Sequence, residues 1–280
     1  MKIVFIGHLS KDINVFKHGE QIIPGGGVYY GAFVARSFSP EVSVYTKLND
    51  IDRKLFRDME DYCIDVIYFP SMTTTSIKNI YPTDNPDDRI SRMIERAEPF
   101  TEEEINKIGY VDIIDISGLS YGEIPERFIE ELRKKAEVLG LDAQGFLRNV
   151  DSKGNMVYRD WEYKEKYLPL IDVFKVDSRE SEILTGIKDT NKALEKIAEW
   201  GPKEILLTYR DGIILRAKGR TFEEKFGGWT LEGRTGRGDT CMAGYLVHRH
   251  LGYESALKKA AEIATEKMKN PGPYKKKGVI

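Results

Sequence analysis

The chain has 280 residues, 41% of them hydrophobic and 31% charged, and its 43 lysines and arginines against 45 aspartates and glutamates give a formal net charge of −2. This length and hydrophobic content allow one substantial buried core. Because the charges nearly balance and the positive residues are scattered, the strong basic field that nucleic-acid binding requires is missing, and nucleic acid is excluded as a partner.

The cysteines and the N-terminus indicate the compartment. Cys63 and Cys241 lie far apart in the sequence and match no zinc or redox spacing, which is typical of a protein in a reducing compartment. The N-terminus is apolar only from Ile3 to Ile6, too short a run for a secretion signal or a membrane span. We therefore expect a cytoplasmic protein with no membrane partner.

The elements predicted along the chain alternate between strands and helices. In chain order, runs typical of buried strands are "KIVFIG", "VSVYT", "VDIIDIS", "VLGLDAQG", "DVFKVD" and "EILLTY". Between several of them lie runs with helical patterns, "GAFVARSF", "PERFIEELRKKAEV", "RESEILTG" and "NKALEKIAEWG". The alternation predicts one α/β domain over residues 1–280, with a mostly parallel sheet flanked by helices on both faces.

Two insertions, around residues 12–24 and 66–97, interrupt this alternation. "INVFKHGEQIIPGGG" predicts a hairpin with His18 and Gly19 at its turn, and "VIYFPSMTTTSIKNIYPTDNPDDRISRMIERAE" alternates apolar and polar residues with no helix between. Together they predict a small β-sheet that acts as a lid over the ends of the main strands. The basic tail "NPGPYKKKGVI" is predicted to be solvated.

The stretch "EGRTGRGDTCMAGYL", from Glu232 to Leu246, places glycines and an aspartate before an apolar helical run. Gly236 and Gly238 let successive N–H groups turn toward one point, and the helix N-terminus adds its positive dipole there, which favours a transferring phosphoryl group. Asp239 would then accept the proton of an attacking hydroxyl. A tight turn with Asp239 as an ordinary N-cap explains the same residues, and the Walker A pattern is not matched.

"TGRGDTCMAGYL" resembles the second signature of the PfkB (ribokinase-like) carbohydrate kinases, D-T-T-G-A-G-D-T-F-x-A-G. The matching residues are Thr235, Gly236, Gly238, Asp239, Thr240, Ala243 and Gly244. The resemblance implies a ribokinase-like fold, transfer of phosphate from ATP to a sugar or polyol hydroxyl, an anion hole at residues 236–238 and Asp239 as general base. Gly233 stands where an aspartate is usual, and Arg237, which replaces a small residue, either adds charge to the phosphate site or points to solvent.

"PGGGVYYGAFVAR", Pro24 to Arg36, is similar to the first signature of the same family, P-G-G-x-x-x-N-x-A. The resemblance implies that the backbone of Gly25, Gly26 and Gly27 approaches the sugar and that the lid hinges there. Tyr30 occupies the position of the usual asparagine, and we expect the neighbouring Tyr29 at the substrate. A flexible turn is the other interpretation of these glycines.

Three further residues are predicted on the acceptor side. Asp12 in "GHLSKDIN" aligns with an acidic residue that accepts hydrogen bonds from sugar hydroxyls in the family, although a surface turn explains it equally. "LDAQGFLR" follows a buried strand, so its polar residues should lie at the carboxyl end of the sheet. The resemblance implies that Gln144 contacts substrate hydroxyls and Arg148 the travelling phosphate; a connector loop with polar decoration is the alternative.

The donor side is predicted from "DVFKVDSRESEILTG", which resembles the family's N-x-x-E segment. Asp177 and Glu180 would hold Mg²⁺ through water, because that ion keeps much of its hydration shell. Acids at a helix N-terminus explain the same two residues without a metal. Three other residues complete the predicted nucleotide site, namely Thr208 in "LLTYRDG", Thr235, and Asn270 in the C-terminal segment that resembles the one flanking adenine.

The sequence therefore predicts an ATP- and Mg²⁺-dependent kinase whose acceptor is a sugar or cyclic polyol, with myo-inositol as the first choice and with pairing of two copies through the lid. The alternatives are a nucleoside kinase of the same family and a catalytically silent protein that senses a sugar or nucleotide. The four histidines show no spacing shared with other metal ligands and are interpreted as structural or exposed.

Overall fold

The structure is a computed structural model that describes residues 1–17, 19–83, 89–228, 230, 232–276 and 278. In chain order the strands are β1 Lys2–Ile6, β2 Ser10–Phe16, β3 Gly19–Gly25, β4 Glu41–Leu48, β5 Asp65–Pro70, β6 Thr75–Ile80, β7 Ile90–Glu95, β8 Val111–Ile116, β9 Ala136–Asp142, β10 Arg148–Val150, β11 Met156–Tyr158, β12 Val173–Asp177, β13 Glu204–Tyr209, β14 Gly212–Ala217 and β15 Arg220–Lys225. The helices are α1 Gly27–Arg36, α2 Arg57–Asp61, α3 Glu102–Asn106, α4 Phe128–Lys134, α5 Gln144–Leu147, α6 Lys164–Tyr167, α7 Ser178–Thr185, α8 Thr190–Glu199, α9 Arg237–His248 and α10 Tyr253–Lys267.

The main sheet has the strand order β15-β14-β13-β12-β9-β8-β1-β4-β5 over the described residues. The strands from β13 to β5 pair in parallel, and β14 and β15 add an antiparallel edge. The predicted α/β fold with a mostly parallel sheet is confirmed. Parallel strands need crossover connections, and the helices that supply them cover the sheet.

Two apolar cores lie on the two faces of the main sheet, as β1 illustrates. Successive side chains of a strand point to opposite faces. Ile3 and Phe5 belong to the core that packs against α1, α9 and α10, whereas Val4 and Ile6 belong to the core that packs against α4, α7 and α8. The central strands are therefore buried on both sides, which is why they read as continuous apolar runs in the sequence.

A second, four-stranded sheet has the order β3-β2-β6-β7 and is the small sheet for which a lid role is predicted; it is called the lid below. Strands β2 and β3 form the predicted hairpin, whose turn residue His18 lies outside the described residues. Strand β2 also pairs with β6 in parallel, which joins the two insertions into one sheet. Residues 65–70 form β5 and pair with β4 of the main sheet. The second insertion consequently begins after β5 and not at residue 66.

Two local predictions are corrected. The helix predicted over residues 125–138 is shorter, because Ala136 and Val138 already pair with β8 as part of β9. The C-terminal tail is not simply solvated where the structure describes it. The N–H of Lys276 donates to Ser37 Oγ at 3.2 Å, and Lys275 Nζ lies 3.2 Å from an oxygen of Asp58. These contacts attach the tail to the ends of α1 and α2.

Membrane spans are the last element class to consider. Over the ranges that the structure describes, none of the helices combines the length and the apolar composition needed to cross a bilayer.

Candidate active site

A cavity of about 290 Å³ lies between the lid and the carboxyl ends of the central strands. In the sheet, β1 has β4 on one side and β8 on the other, so the strand order reverses there, and ligands of α/β sheets bind at such a switch point. The lining residues are Ser10, Asp12, Gly26, Gly27, Tyr30, Ile77, Asn79, Tyr81, Arg89, Leu119, Gln144, Arg148, Tyr158, Lys175, Asp177, Thr208, Arg234, Thr235, Gly236, Arg237, Gly238 and Asp239.

Residues 233–238, the glycine loop, lead into the N-terminus of α9 and form one wall of the cavity. Gly236 caps the helix with a φ of +78°, and a Cβ there would overlap the ring of Tyr30. At Gly238 a Cβ would lie 3.0 Å from Lys175 Nζ. Gly236 is therefore required by its left-handed backbone and by close approach, whereas Gly238 leaves room for the Lys175 side chain. The first N–H groups of α9, which have no partner within a helix, lie at the cavity. The loop residues predicted from the sequence, Thr235 to Gly238, are brought together in this wall.

Arg237, for which the sequence left two alternatives, borders the cavity at its rim. Its Nη1 donates to the carbonyl of Arg210 at 3.2 Å, and its guanidinium lies 5.6 Å from the ring centroid of Phe226. The side chain is half-buried. Its charge consequently stays at the cavity wall and is not simply directed to solvent.

Asp239 is the carboxylate in the first turn of α9, and it faces both the cavity and the start of α1. A Cβ at Gly27 would lie 2.8 Å from Asp239 Oδ1, so only glycine allows α1 to begin so close to it. Burial raises the pKa of Asp239 to about 6, with Lys175 lowering and Asp142 raising it. The group is mainly ionised at neutral pH, yet basic enough to accept a proton, which is the balance that a general base needs.

Lys175 is the main residue that sequence reasoning missed. It lies in β12 and is 5% exposed, with its Nζ 2.9 Å from Asp142 Oδ2 and 4.0 Å from an oxygen of Glu180. Burial lowers its pKa, but Asp142 and Glu180 outweigh burial and raise the pKa well above the ordinary lysine value. Lys175 is thus a fixed cation beside the glycine loop. A lysine within the apolar run "DVFKVD" was the signal that could have found it.

A third buried carboxylate lies below this ion pair. Asp115, which is 2% exposed, accepts a hydrogen bond from Ser117 Oγ at 3.0 Å. Burial, followed by repulsion from Asp142, raises the pKa of Asp115 to about 7. Asp115, Asp142 and Glu180 share one ammonium and cannot all be neutralised by it, which favours the protonated forms of Asp115 and Glu180.

Asp12 lies on the lid side of the cavity, as predicted for an acceptor-binding residue. Its Oδ1 accepts from Ser10 Oγ at 2.7 Å, and a Cβ at Gly25 would lie 2.6 Å from its carboxyl group. Burial raises the pKa of Asp12, and the positive charges of Arg89 and Arg148 oppose this effect. Gly25 does not line the cavity itself; its bare backbone makes room for the Asp12 carboxyl group.

The lid also supplies amides that the sequence analysis did not single out. Asn79 lines the cavity, donates from Nδ2 to Asn14 Oδ1 at 3.1 Å and accepts at Oδ1 from Ser91 Oγ at 2.7 Å. These three residues lie on β2, β6 and β7, and strand pairing alone brings them together. Tyr81 and Arg89 complete this wall.

Gln144 and Arg148 line the opposite wall, at the end of β9 and the start of β10. The N–H of Gln144 donates to Asp142 Oδ1 at 3.0 Å, so the turn after the strand is fixed by that carboxylate. Arg148 donates to Tyr158 Oη at 3.2 Å, and Arg179 lies 4.5 Å from the ring centroid of the same tyrosine. Both predicted residues are thus held at the cavity by their local structure.

Besides Gly25, three predicted site residues lie outside the cavity wall. Tyr29 is 2% exposed and donates from its Oη to Asp58 at 2.7 Å, so Tyr30, and not Tyr29, is the α1 tyrosine at the cavity. Asn270 is exposed beyond the end of α10. Glu180 is buried in the first turn of α7. A signature gives the order of residues along a helix, but only packing decides which face of the helix meets the cavity.

The predicted magnesium residues form a capping box at the start of α7. Asp177 Oδ1 accepts from the N–H of Glu180 and Glu180 Oε2 accepts from the N–H of Asp177, both at 2.7 Å. Burial and then Asp177 raise the pKa of Glu180 to about 8, which disfavours the charged ligand form. Among the described residues, no group of three or more histidines, cysteines or acids could hold a metal ion. Asp177, which lines the cavity, fits a water-mediated contact to a phosphate-bound Mg²⁺, and Glu180 does not.

The N-terminus of α9, the buried carboxylate of Asp239 and fixed cations surround one cavity at the carboxyl ends of the central strands, an arrangement that fits a phosphotransferase with an alcohol group as acceptor. No family model and no curated protein matches the chain. Solved structures do match. A sulfate complex of a pyrophosphate-dependent kinase in the ribokinase family is 43% identical, with a TM-score of 0.92 over 98% of this chain and 97% of that one. The chain belongs to the ribokinase (PfkB) family of carbohydrate kinases, which confirms the predicted resemblance.

Two other solved structures are similar over the same length. A pyrophosphate-dependent kinase of this family in complex with a pyrophosphate analogue and myo-inositol is 42% identical, with a TM-score of 0.91 over 98% of this chain and 97% of that one. A pyrophosphate-dependent myo-inositol 1-kinase, converted into a 3-kinase by replacing an asparagine and a serine with leucine, is 41% identical, with a TM-score of 0.91 over 98% of this chain and 95% of that one.

Proposed function

We propose that this protein transfers a phosphoryl group from inorganic pyrophosphate to a hydroxyl group of myo-inositol, with Asp239 as the general base. The observation that carries the proposal is the position of Asp239. Its carboxylate lies in the same cavity wall as the glycine loop, opposite the polar residues of the lid. An acceptor hydroxyl held against the lid and a phosphoryl group held against the loop would meet at this carboxylate.

The reaction follows from these positions. The oxygen of the attacking hydroxyl forms a bond to the nearer phosphorus of pyrophosphate, and Asp239 accepts the proton of that hydroxyl. The bond from that phosphorus to the bridging oxygen breaks, and inorganic phosphate leaves with the electron pair. The N–H groups at the start of α9 and the ammonium of Lys175 stabilise the charge on the transferring oxygens, where electrostatic stabilisation contributes most to phosphoryl transfer.

Two observations support pyrophosphate instead of the predicted ATP. The relatives at 41–43% identity are pyrophosphate-dependent. The cavity is small for a ligand site, and it is lined by Arg148, Lys175, Arg234 and Arg237, which suit a compact polyanion. Asn270, predicted at the adenine, lies outside its wall. ATP as donor stays a prediction that the experiment below tests.

Magnesium is proposed on the donor side only. When bound, Mg²⁺ would neutralise phosphate oxygens of the donor and would be held through water by Asp177. Glu180 supports this arrangement indirectly, because its carboxyl group fixes the N–H of Asp177 and so orients that residue.

A cyclic polyol as acceptor is supported by the lid. Asp12, Asn79, Gln144 and Arg148 line the cavity and can bind several hydroxyl groups at once. The hydrogen-bonded pair of Asn79 and Ser91 has the two residue types whose replacement by leucine changes the product of the related 1-kinase. A site built from such paired groups rejects acceptors that lack a matching hydroxyl. We therefore assign myo-inositol as acceptor and its 1-phosphate as product.

The test is a matrix of purified enzyme with two donors, pyrophosphate and ATP, and three acceptors, myo-inositol, ribose and adenosine, followed by ³¹P NMR and chiral separation of the product. The proposal is supported if the combination of pyrophosphate and myo-inositol gives turnover and the other five combinations do not. Turnover with ATP restores the predicted donor, and turnover with adenosine identifies a nucleoside kinase. Binding of a donor or sugar without turnover in any combination would identify a silent sensor.

The remaining predictions concern the oligomeric state and the cellular location of the protein. Pairing of two copies through the lid is tested by sedimentation of the full chain with and without replacement of Ile22, which is 56% exposed on the lid edge strand β3, by lysine. The cytoplasmic location predicted from the cysteines is tested by fractionation of the source cells.

A further inference from the structure

A buried lysine holds the glycine loop from the side opposite to the cavity. Lys267 is the last residue of α10 and is 3% exposed. Its Nζ donates to the carbonyl of Gly233 at 2.6 Å and to the carbonyl of Thr235 at 2.5 Å. Burying an ammonium group is costly unless it is fully hydrogen-bonded, so a position of this kind requires an explanation.

The loop is fitted closely around this ammonium. A Cβ at Gly233 would overlap the carbonyl of Met268, so only glycine lets the loop lie against the end of α10. The N–H of Gly233 donates to Thr230 Oγ1 at 3.0 Å, and the N–H of Thr230 donates to the same Met268 carbonyl at 3.0 Å. The ring centroid of Tyr30 lies 5.2 Å from Lys267 Nζ, within the range of a cation–π contact.

Two unusual positions of the sequence therefore meet at one cation. Gly233 and Tyr30 both differ from the residues expected at their places in the family signatures, and both contact or border Lys267. The same Tyr30 ring also excludes a side chain at Gly236. Tyr30 and Lys267 thus occupy the space next to the loop that Gly236 and Gly233 leave open.

The hydrogen bond from Lys267 to the carbonyl of Thr235 also determines which way the following N–H group of the loop points. In a planar trans peptide the C=O and the following N–H point in opposite directions, and the described chain has no cis peptide bond. Because the carbonyl of Thr235 points to Lys267, the N–H group of Gly236 points to the other side of the loop. Gly236 lines the cavity, whereas Lys267 is not among its lining residues.

We propose that Lys267 is a positioning residue that orients the peptide N–H group of Gly236 toward the phosphoryl donor. The proposal rests on the proposed function, since it assigns this N–H group to the donor of that reaction. Burial lowers the pKa of Lys267 to about 8, while Asp239 acts to raise it. The side chain is therefore still an ammonium at neutral pH, as two carbonyl acceptors require.

The first experiment replaces Lys267 in the full chain and measures pyrophosphate binding by calorimetry without acceptor, together with kcat and KM. Lys267→Met keeps the aliphatic stem, and Lys258→Met, at an exposed position on the same helix, is the matched control. We expect Lys267→Met to weaken pyrophosphate binding and to lower kcat by about 10²-fold, the effect of losing a preorganised oxyanion donor. The KM for the acceptor should change less than about threefold, and Lys258→Met should resemble the wild type.

The second experiment is chemical rescue. Lys267→Ala leaves space between the two carbonyls, so ammonium or methylammonium should restore activity and pyrophosphate binding in a saturable way. Tetramethylammonium at the same ionic strength has no N–H donor and should not. Wild-type pyrophosphate binding in both lysine variants, no rescue by either amine, or unfolding of both variants in thermal melts would overturn the proposal.

These outcomes are separate from those of the proposed function. Wild-type enzyme that turns over ATP and not pyrophosphate refutes the choice of donor, and the same calorimetry with ATP then tests Lys267. Wild-type enzyme without any turnover refutes the kinase reaction, while the effect of Lys267 variants on pyrophosphate binding still decides the role of the lysine.

Discussion

The glycine loop and the lid face each other across one cavity, but they present different kinds of groups. The loop offers main-chain N–H groups; it packs against the Tyr30 ring and is held from behind by the Lys267 ammonium. The lid offers side chains, such as those of Asp12 and Asn79, from a four-stranded sheet. Its edge strand β3 is partly exposed, as Ile22 shows.

In the proposed reaction, main-chain groups of the loop bind the phosphoryl group and side chains of the lid bind the acceptor. Apart from proline, a substitution keeps the main-chain donor, but a side chain added at Gly233 or Gly236 would displace the loop, so we expect the phosphoryl end to be sensitive to geometry. A side chain on a strand can be exchanged without moving the backbone, so the acceptor end is open to changes of specificity. The predictions below test this division, beginning with the largest expected effect.

Asp239→Asn should remove the proton acceptor and lower kcat by about 10³-fold, within the range usual for a general base. Pyrophosphate affinity should be kept or increased, because a negative charge near the donor is removed. Steady-state kinetics and calorimetry measure the two effects. Asp61→Asn, at an exposed position on α2, is the control. Turnover of Asp239→Asn close to that of the wild type would remove Asp239 from the mechanism.

Gly236→Ala should weaken pyrophosphate binding by about 10- to 100-fold, because the new methyl group displaces the loop from the Tyr30 ring. Gly186→Ala is a matched control, since Gly186 has a φ of +70° and open space around its would-be Cβ. Both variants bear the strain of a left-handed residue, about 1–3 kcal/mol. Equal losses of pyrophosphate affinity in both would show that the ring contact is irrelevant.

The pH profile of kcat/KM should be bell-shaped after correction for the ionisation of pyrophosphate itself. Asp239, whose pKa burial raises to about 6, must be unprotonated to act as a base, so activity falls below that pH. Lys267, whose pKa burial lowers to about 8, must stay protonated to hold the loop, so activity falls above that pH. In Lys267→Met the alkaline limb should disappear; a limb that persists there would belong to another group.

Ser91→Ala should have the smallest effect, about a threefold rise in the KM for myo-inositol, the usual range for one neutral hydrogen bond. Without the hydroxyl of Ser91, Asn79 Oδ1 loses a 2.7 Å hydrogen bond, and the amide is less well oriented. The KM for pyrophosphate should stay unchanged. Lys78→Ala alters β6, the strand of Asn79, at the contact of Lys78 with Glu20 and serves as control. A change in the donor KM alone would contradict the division between the two ends.

Local patterns were enough to predict most of the architecture. The apolar runs located the main strands, because strands buried on both faces must be continuously apolar. The glycines of "TGRGDT" predicted the approach of backbone to a ligand, and the structure has Gly236 in the left-handed conformation with an aromatic ring beneath it. The family resemblance and the kinase class are confirmed by the solved relatives.

Other parts of the site depended on which face of an element meets the cavity. Tyr29 and Tyr30 are adjacent, yet only Tyr30 lines the cavity, since neighbouring residues on a helix point about 100° apart. Lys175 was missed because it stands in the apolar run of β12, where no alternation of polar and apolar residues marks it. Its paired carboxylate, Asp142, is 33 residues away. Pairs so distant in sequence leave no local pattern.

The sequence by itself located the main strands and helices, the two glycine-rich turns and Asp239 as the candidate base, because each depends on residues near one another in the chain. The tertiary structure alone decided that Lys267 from α10 would support the glycine loop and that Asn14, Asn79 and Ser91 from three strands would form one polar wall. The physical reason is that the hydrophobic pattern specifies which faces are buried, while hydrogen bonds between remote segments form only after those faces have packed.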